Sequence, residues 1–470
     1  MTLPDSFDLL VLGLGTTGVD VARWGATHLG GRVSSVTVFA GASCEPSDAH
    51  RDLEDSGVRI EYGTDSVRGG YDVCVASPGI SEFSAFFGSA RAHAAEIMGE
   101  PEFAWRLSPE RWIAVTGTNG KTTTVSLTGQ LLSAARIPCE VVGNIGETAI
   151  SQVDRRQDGD WFVAELSSYQ LATTSEFHPR AAVLLNITPD HLRWHRGFEN
   201  YARAKLKILQ NLDENDLAII DVDDPGLRRL GSQVIASHRR ILRLAHDDPA
   251  SVDAAFVRAG RLVVRLDGIE HDLARVSELA VAGAHNVSNA LAASASALLA
   301  GASDAAVSEG LRAFSSLEHR MEPAGDIDGV RFYNDSKATN TDAVEKALTA
   351  FPGDRVILLL GGYDKGTPLH GFATRVVQQI GAVVCFGQAR RRFMDAMTGA
   401  ASGLDVDVAE ADDLLDAVDV ARSLACRGDV ILLSPACSSF DEFQDFEERG
   451  RRFKAYLDEL RARGSGGQGQ

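Results

Sequence analysis

Between Trp112 and Leu132 the chain runs from the apolar segment Trp112-Ile113-Ala114-Val115, through Thr116-Gly117-Thr118-Asn119-Gly120-Lys121-Thr122-Thr123, into a helical pattern carried by Leu127, Leu131 and Leu132. That order reads as strand, phosphate loop, helix. Backbone N–H groups of such a loop and the helix N-terminus receive phosphate oxygens, the lysine reaches the outer phosphates, and the next hydroxyl can hold Mg²⁺. The full Walker spacing is not met, because it needs glycine five residues before Gly120, where Val115 stands. A chance Gly-Lys-Thr turn is the competing reading. The correctly placed strand and helix weigh against it.

The same alternation recurs along all 470 residues, a length that suits about three domains of ordinary size. The pattern predicts an α/β protein of three domains, each a mainly parallel sheet flanked by helices: Rossmann-like over 1–107, P-loop ATPase-like over 108–316 and Rossmann-like over 317–470. In the first, a strand at 7–12 ends in Gly13-Leu14-Gly15-Thr16-Thr17-Gly18 and leads to a helix through Val21 and Trp24. Alone, this glycine signature reads as a dinucleotide site. An acidic residue for the ribose hydroxyls is expected at the end of the second strand, which instead ends Val38-Phe39-Ala40-Gly41. A further strand at 72–76 leads to the turn Ser77-Pro78-Gly79 at the rim of the same pocket.

Strands are also predicted at 161–166, 181–187 and 217–221 in the second domain, followed by helices at 285–299 and 304–314 and a linker through 315–318. In the third they fall at 330–333, 355–360, 382–386 and 430–433. In parallel sheets ligands bind beyond the carboxyl ends of the strands. Gly117, Glu165, Asn186, Asp335, Gly361 and Ser434 all stand there.

Composition limits the partners. A net charge of −19 argues against sequence-independent binding of nucleic acid, since no basic face is available to displace counterions. No apolar run approaches the ~20 residues of a membrane helix, and no signal peptide is legible. The six cysteines contain no Cys-x-x-Cys pair, so a reduced, cytoplasmic protein is expected. The tail Gly464–Gln470 reads as frayed. The chain has only seven lysines among its 46 basic residues, and Lys121, Lys205, Lys337 and Lys365 fall in polar or Gly-rich motifs. A lysine retained against such a bias marks a place needing a compact ammonium or a titratable amine, which guanidinium cannot supply.

Two neighbouring strand ends carry Glu165-Leu166-Ser167-Ser168-Tyr169-Gln170 and Asn186-Ile187-Thr188-Pro189-Asp190-His191, which bring a carboxylate and an imidazole to the mouth beside the phosphate loop. Glu165 and His191 form a candidate Mg²⁺ site, although a hard cation prefers oxygen ligands. A capping Asp190 beside a packed histidine is the plainer alternative. Lys205 lies on a helical stretch with Leu206 and Leu209 inward, and in isolation reads as a surface lysine in an ion pair. The third domain offers Asn334-Asp335-Ser336-Lys337-Ala338-Thr339-Asn340, Gly361-Gly362-Tyr363-Asp364-Lys365-Gly366 and Ser434-Pro435-Ala436-Cys437-Ser438-Ser439-Phe440-Asp441. Two cations, hydroxyls and helix N-termini suit a small dicarboxylate, while each loop alone is ordinary capping chemistry.

Together with Phe446-Glu447-Glu448-Arg449-Gly450, these motifs resemble those of the Mur ligase family from about residue 7 to 462. The third-domain motifs favour its D-glutamate-adding branch. The resemblance implies an ATP- and Mg²⁺-dependent amide ligase, a monomer, joining D-glutamate to UDP-N-acetylmuramoyl-L-alanine through an acyl phosphate. It implies that Gly117, Thr118, Asn119, Gly120, Lys121, Thr122, Thr123, Asn289, Arg320, Asp335 and Lys337 bind ATP. Gly15, Thr16, Thr17, Asn144, Ser167 and His191 would bind the UDP-substrate, and Thr339, Lys365, Ser439 and Phe446 would bind D-glutamate. Thr122, Glu165, His191 and Lys205, the last as a carbamate, would hold the metal, and Lys121, His191 and Lys205 would be catalytic. Two departures from the family pattern are Ala40-Gly41 at the second strand and Arg193 in place of an aspartate after Asp190-His191-Leu192. Another Mur ligase or a folylpolyglutamate-synthase-like amide ligase, a nicotinamide oxidoreductase and a non-catalytic nucleotide-binding scaffold remain as alternatives.

Overall fold

The computed structural model describes residues 3–230, 240–250, 252–279, 283–314, 318–364 and 366–465. It contains three sheets, the first two in one compact unit and the third in another. In the first sheet β1 (Phe7–Leu12), β2 (Val33–Gly41), β3 (Arg59–Tyr62), β4 (Tyr71–Ala76) and β5 (Ala94–Gly99) lie parallel in the order β3-β2-β1-β4-β5. The order reverses at β1, and the glycine turn follows that strand. Gly13 takes a φ of +84°, and a Cβ at Gly18 would run into the Gly13 carbonyl, so the turn and the close helix–strand approach both require glycine.

The second sheet comprises β6 (Trp112–Thr116), β7 (Cys139–Gly143), β8 (Trp161–Glu165), β9 (Ala181–Leu184), β10 (Leu217–Asp221), β11 (Ile241–Leu244), β12 (Ala254–Arg258), β13 (Arg261–Leu266) and β14 (Ile269–Arg275). Its order is β14-β13-β12-β11-β10-β9-β6-β8-β7. The phosphate-loop strand β6 therefore sits between β8 and β9, which carry the other two motifs. Parallel pairing ends at β12, beyond which β12-β13-β14 are antiparallel. The sheet remains mainly parallel, as expected, with this antiparallel edge added to it. Ala259-Gly260 and Asp267-Gly268 all have positive φ, the backbone of tight hairpins whose twist matches that of the strands. β9 also ends earlier than expected, since Asn186 turns aside to hold the phosphate loop.

Polar and apolar contacts join these two sheets. One core runs from Leu9, Val11, Trp24 and Phe103 to Trp112, Phe162 and Phe177. Buried Glu100 accepts the Ile150 N–H at 2.7 Å, and burial pushes its carboxyl up to about 7. Buried Glu102 binds Arg106 and accepts the Ser175 hydroxyl at 3.0 Å.

In the other unit β15 (Glu322–Ile327), β16 (Val330–Asn334), β17 (Val356–Gly361), β18 (Ala382–Phe386), β19 (Asp407–Glu410) and β20 (Val430–Ala436) follow the order β15-β16-β20-β17-β18-β19. Only β15 is antiparallel. Successive residues of β17 face opposite sides, Leu358 and Leu360 into one core and Ile357 and Leu359 into the other. A sheet covered on both faces needs such continuous apolar strands. The long helix Phe446–Ser465 closes one side through Phe453, Leu457 and Leu460.

Candidate active site

The phosphate loop is held from the neighbouring strand. Asn186 accepts the Thr118 N–H through its backbone carbonyl at 3.0 Å and the Asn119 N–H through Oδ1 at 2.8 Å. The Thr118 hydroxyl accepts the Thr188 N–H at 2.9 Å and lies 2.7 Å from the Tyr201 hydroxyl. Gly120 has a φ of +85°, and a Cβ there would meet Asn289, so glycine is required for two reasons at the start of the helix Lys121–Ala134. Lys121 donates to the Gly117 and Thr118 carbonyls, both at 3.0 Å, and its ammonium fills the crook of its own loop. Thr122 is half-buried on the first helical turn and Thr123 is buried.

Lys205 lies beneath this loop. It is only 2 % exposed, which corrects the surface reading: its helix presents it inward, where Nζ donates to the Gly117 carbonyl at 2.7 Å and lies 5.0 Å from the Tyr201 ring centre. Burial is the main cause that lowers its pKa well below the ordinary lysine value, and nearby Lys121 adds to it, while Asp190 and Glu165 oppose it. Two amines and two carboxylates thus meet around the ends of β6, β8 and β9.

Glu165 is 1 % exposed and closes β8. Its Oε1 accepts from the Asn144 amide at 2.9 Å, whereas Oε2 has no hydrogen-bond partner; the buried Thr188 hydroxyl has none either. Asn144 is therefore bound to the metal-candidate carboxylate. Ser167 caps the short helix Ser168–Ala172 in a capping box with Gln170. His191 takes a left-handed φ of +51°, its Nδ1 lies 2.7 Å from the Tyr169 hydroxyl and its Nε2 3.6 Å from Asp190. Behind it, burial, with His191 and Lys205 adding, lowers the pKa of His195 to about 4, which keeps that ring neutral at pH 7. Arg193 is exposed.

An orphaned buried carboxylate oxygen and an orphaned hydroxyl are the oxygen donors that Mg²⁺ prefers, so these residues fit that ion. Among the described residues, the metal-like clusters of three are elsewhere: His178, Asp213 and Asp216, and Glu318, His319 and Glu322. Arg180 already neutralises Asp216 in the first, and Lys454 pairs with both glutamates in the second.

In the first sheet, Gly15 precedes the helix Thr16–Thr27, and Gly15, Thr16 and Thr17 line a cavity of about 620 Å³ with Ala40–Ser43, Asp65, Ser77–Ile80 and Phe86. The buried Ser77 hydroxyl beside Gly13 has no partner. Trp194, close to His191, donates to the carbonyl of Gly79 on this rim, and Arg196 donates to the Phe83 carbonyl beyond it.

The other unit gathers its loops around Arg449, which is fully buried. Its Nε donates to the Ser336 hydroxyl at 2.9 Å, Nη1 to the Ser438 carbonyl at 3.2 Å, and Nη2 to the Ser336 and Cys437 carbonyls at 2.7 and 3.1 Å. Burial lowers its pKa to about 10. The Tyr363 N–H donates to the Ser438 carbonyl at 2.8 Å, tying the loop after β17 to the one after β20. Asp335 accepts the Ser434 hydroxyl at 2.8 Å and the Met321 N–H at 3.2 Å; burial raises its carboxyl to about 7, with Arg320 among the groups opposing. The Lys337 ammonium sits 3.6 Å from the Phe446 ring centre, Thr339 follows on the same loop, and Ser439 is buried nearby in sequence to the Arg449 acceptors. Lys365 lies outside the described residues.

Residues 115–297 match the Mur ligase middle domain, and residues 319–437 match the Mur ligase glutamate ligase domain. The UDP-N-acetylmuramoylalanine–D-glutamate ligase of Acidobacterium capsulatum is 39% identical over 461 residues, 95% of each chain. The chain belongs to the Mur ligase family. The ligase of the same name from Caldanaerobacter subterraneus is 37% identical, over 96% of this chain and 98% of that protein. The solved MurF of Acinetobacter baumannii, 17% identical with a TM-score of 0.60 over 95% of this chain and 93% of that one, shares the Mur ligase fold.

Sequence reading gave no role to Tyr169, Tyr201 or Arg449. For Arg449 a signal existed: Phe446, Arg449, Phe453, Leu457 and Leu460 fall at helical spacing, which puts a guanidinium on an apolar stripe. The two tyrosines carry no such signal, because the elements they join are distant in sequence.

Proposed function

We propose that the chain is an ATP-dependent amide ligase that adds D-glutamate to UDP-N-acetylmuramoyl-L-alanine, a step of peptidoglycan precursor synthesis, acting in the cytoplasm as a monomer without nucleic-acid or membrane partners. The full-length likeness to two D-glutamate ligases carries this reading. Among the described residues no helix is long and apolar enough to cross a membrane.

The chemistry follows from the arrangement. A carboxylate is a poor acyl donor, so its oxygen first attacks the γ-phosphorus of ATP, ADP leaves, and the amine of D-glutamate then attacks the acyl carbon. The tetrahedral adduct expels phosphate and leaves an amide. Two anions must meet in the first step, and preorganised positive charge there stabilises the transition state. Lys121 and the N–H groups of the Gly117–Thr123 loop would take this role, and Asn289, which stands beside Gly120, would join Arg320, Asp335 and Lys337 in binding ATP. The Gly15-Thr16-Thr17 turn would take the pyrophosphate of the UDP-substrate, and Asn144, Ser167 and His191 its acyl end. Thr339, Lys365, Ser439 and Phe446 would hold D-glutamate.

Thr122, Glu165, His191 and carbamylated Lys205 would hold Mg²⁺, which when bound neutralises charge on the phosphates. The buried Lys205 amine is suited to carbamylation: uncharged, it adds to the carbon of CO₂ with loss of a proton, and the product is a carboxylate where an ammonium would repel a cation. Phosphate release with ATP, Mg²⁺ and UDP-N-acetylmuramoyl-L-alanine tests the function. Release that requires D-glutamate and is not supported by L-glutamate is the expected result. Release indifferent to the amino acid would refute it.

A further inference from the structure

The first-sheet cavity lacks the acidic residue that a nucleoside site of this topology carries at the end of β2, where Ala40-Gly41 stand. A carboxylate nevertheless reaches that place from another loop. Asp65, between β3 and β4, accepts the Ala42 N–H through Oδ1 at 2.7 Å, and a bridge between Gly41 and Thr64 ties its loop to the end of β2. Gly41 has a φ of +100°, and a Cβ on it would lie 3.7 Å from both Asp65 Oδ1 and the Phe86 ring. The carboxylate and an aromatic ring therefore flank one glycine, in the same cavity as the Gly13–Thr17 turn. Asp65 Oδ2 makes no hydrogen bond among the described residues.

Resting on the reading that this cavity takes the UDP end of the substrate, we propose that Asp65 is the specificity-determining acid of the nucleoside pocket. It substitutes for the missing β2 residue and receives a hydrogen-bond donor of the uridine, either the ring imide N–H or a ribose hydroxyl. One oxygen is spent on Ala42, which fixes the carboxylate; the other faces the ligand. The positive φ of Gly41 is what favours glycine there, and a Cβ on it would stand at ordinary contact distance from the carboxylate and Phe86.

Calorimetric titration of the full chain with UDP, CDP and 2′-deoxy-UDP tests the assignment in wild type, Asp65→Ala and Asp65→Asn. The amide of Asp65→Asn can keep its oxygen on the Ala42 N–H, which turns Nδ2, a donor, toward the ligand. Both variants should bind UDP roughly 10- to 100-fold more weakly, the worth of one hydrogen bond to a charged group, while ATP affinity, read on the same samples, stays within twofold. Wild type should discriminate against CDP if the partner is the imide, or against 2′-deoxy-UDP if it is the ribose. That preference should vanish in Asp65→Ala. UDP affinity within twofold of wild type in both variants, or a nucleotide preference that survives Asp65→Ala, would overturn the proposal. A wild type that binds UDP with this preference but ligates no D-glutamate would leave Asp65 in place and remove the functional reading instead.

Discussion

Replacing Arg449 by methionine should loosen the glutamate-side loops as a group. The substitution keeps an apolar stem but removes four hydrogen bonds from a fully buried guanidinium, two to Ser336 and one each to Cys437 and Ser438. A bond to a charged donor is worth roughly 1.5–3 kcal/mol. The Ser336 hydroxyl retains its bond to the Phe446 carbonyl, and the Ser438 carbonyl retains the Tyr363 N–H, so part of the loss is absorbed. Relief of the guanidinium's burial offsets another part, which leaves a net destabilisation of about 3–5 kcal/mol for this unit. Arg449→Lys should fare little better, because an ammonium keeps the charge and loses the planar fork that reaches two loops at once. Hydrogen–deuterium exchange should accelerate at 335–340 and 436–441, peptides of the central sheet should be unaffected, and KM for D-glutamate should rise at least tenfold. Unchanged exchange with an unchanged KM would refute the role given to Arg449.

Lys121→Ala should lower kcat on the order of 10²-fold or more with the fold intact, which steady-state kinetics and circular dichroism would check. Lys205→Ala should be nearly inactive and partly rescued by acetate, whereas Lys205→Arg should be inactive with or without it; mass spectrometry in bicarbonate should show the added carboxyl group on wild type. Asp335 gives a pH dependence. Its folded-state pKa of about 7 lies above the ordinary 3.8, so the folded chain holds a proton that the unfolded one releases, and stability of this unit should fall as pH rises from about 4 to 7. The loss is at most about 4 kcal/mol, and it should be absent in Asp335→Asn when urea unfolding is followed at pH 5 and 8.

The parallel sheets were legible because buried strands such as Val356–Leu360 are continuous apolar runs, and because Gly-rich loops mark the strand ends that face ligand. The β12–β14 hairpins were less so. Asp267-Gly268 between Leu266 and Ile269 is a hairpin signal, but the arginines and acids of those strands mask their alternation. At the candidate site, residues inside contiguous motifs, among them Lys121, Glu165 and Asp335, could be singled out from sequence because each follows an apolar strand or a Gly-rich turn. Lys205 shows the boundary: its helical stretch, with Leu206 and Leu209 inward, reads as carrying a surface lysine, and only the fold shows that the space beneath the phosphate loop receives it. Asp65, Tyr169 and Tyr201 act across the chain, on Ala42, His191 and Thr118, and no local pattern encodes those pairings.

In the proposed reaction the substrate's own carboxylate oxygen passes to phosphate. UDP-N-acetylmuramoyl-L-alanine labelled with ¹⁸O in both carboxylate oxygens, turned over with ATP, Mg²⁺ and D-glutamate, tests it by mass spectrometry of both products. The account requires one ¹⁸O in each phosphate released and one in each new amide. Unlabelled phosphate beside labelled amide would contradict it.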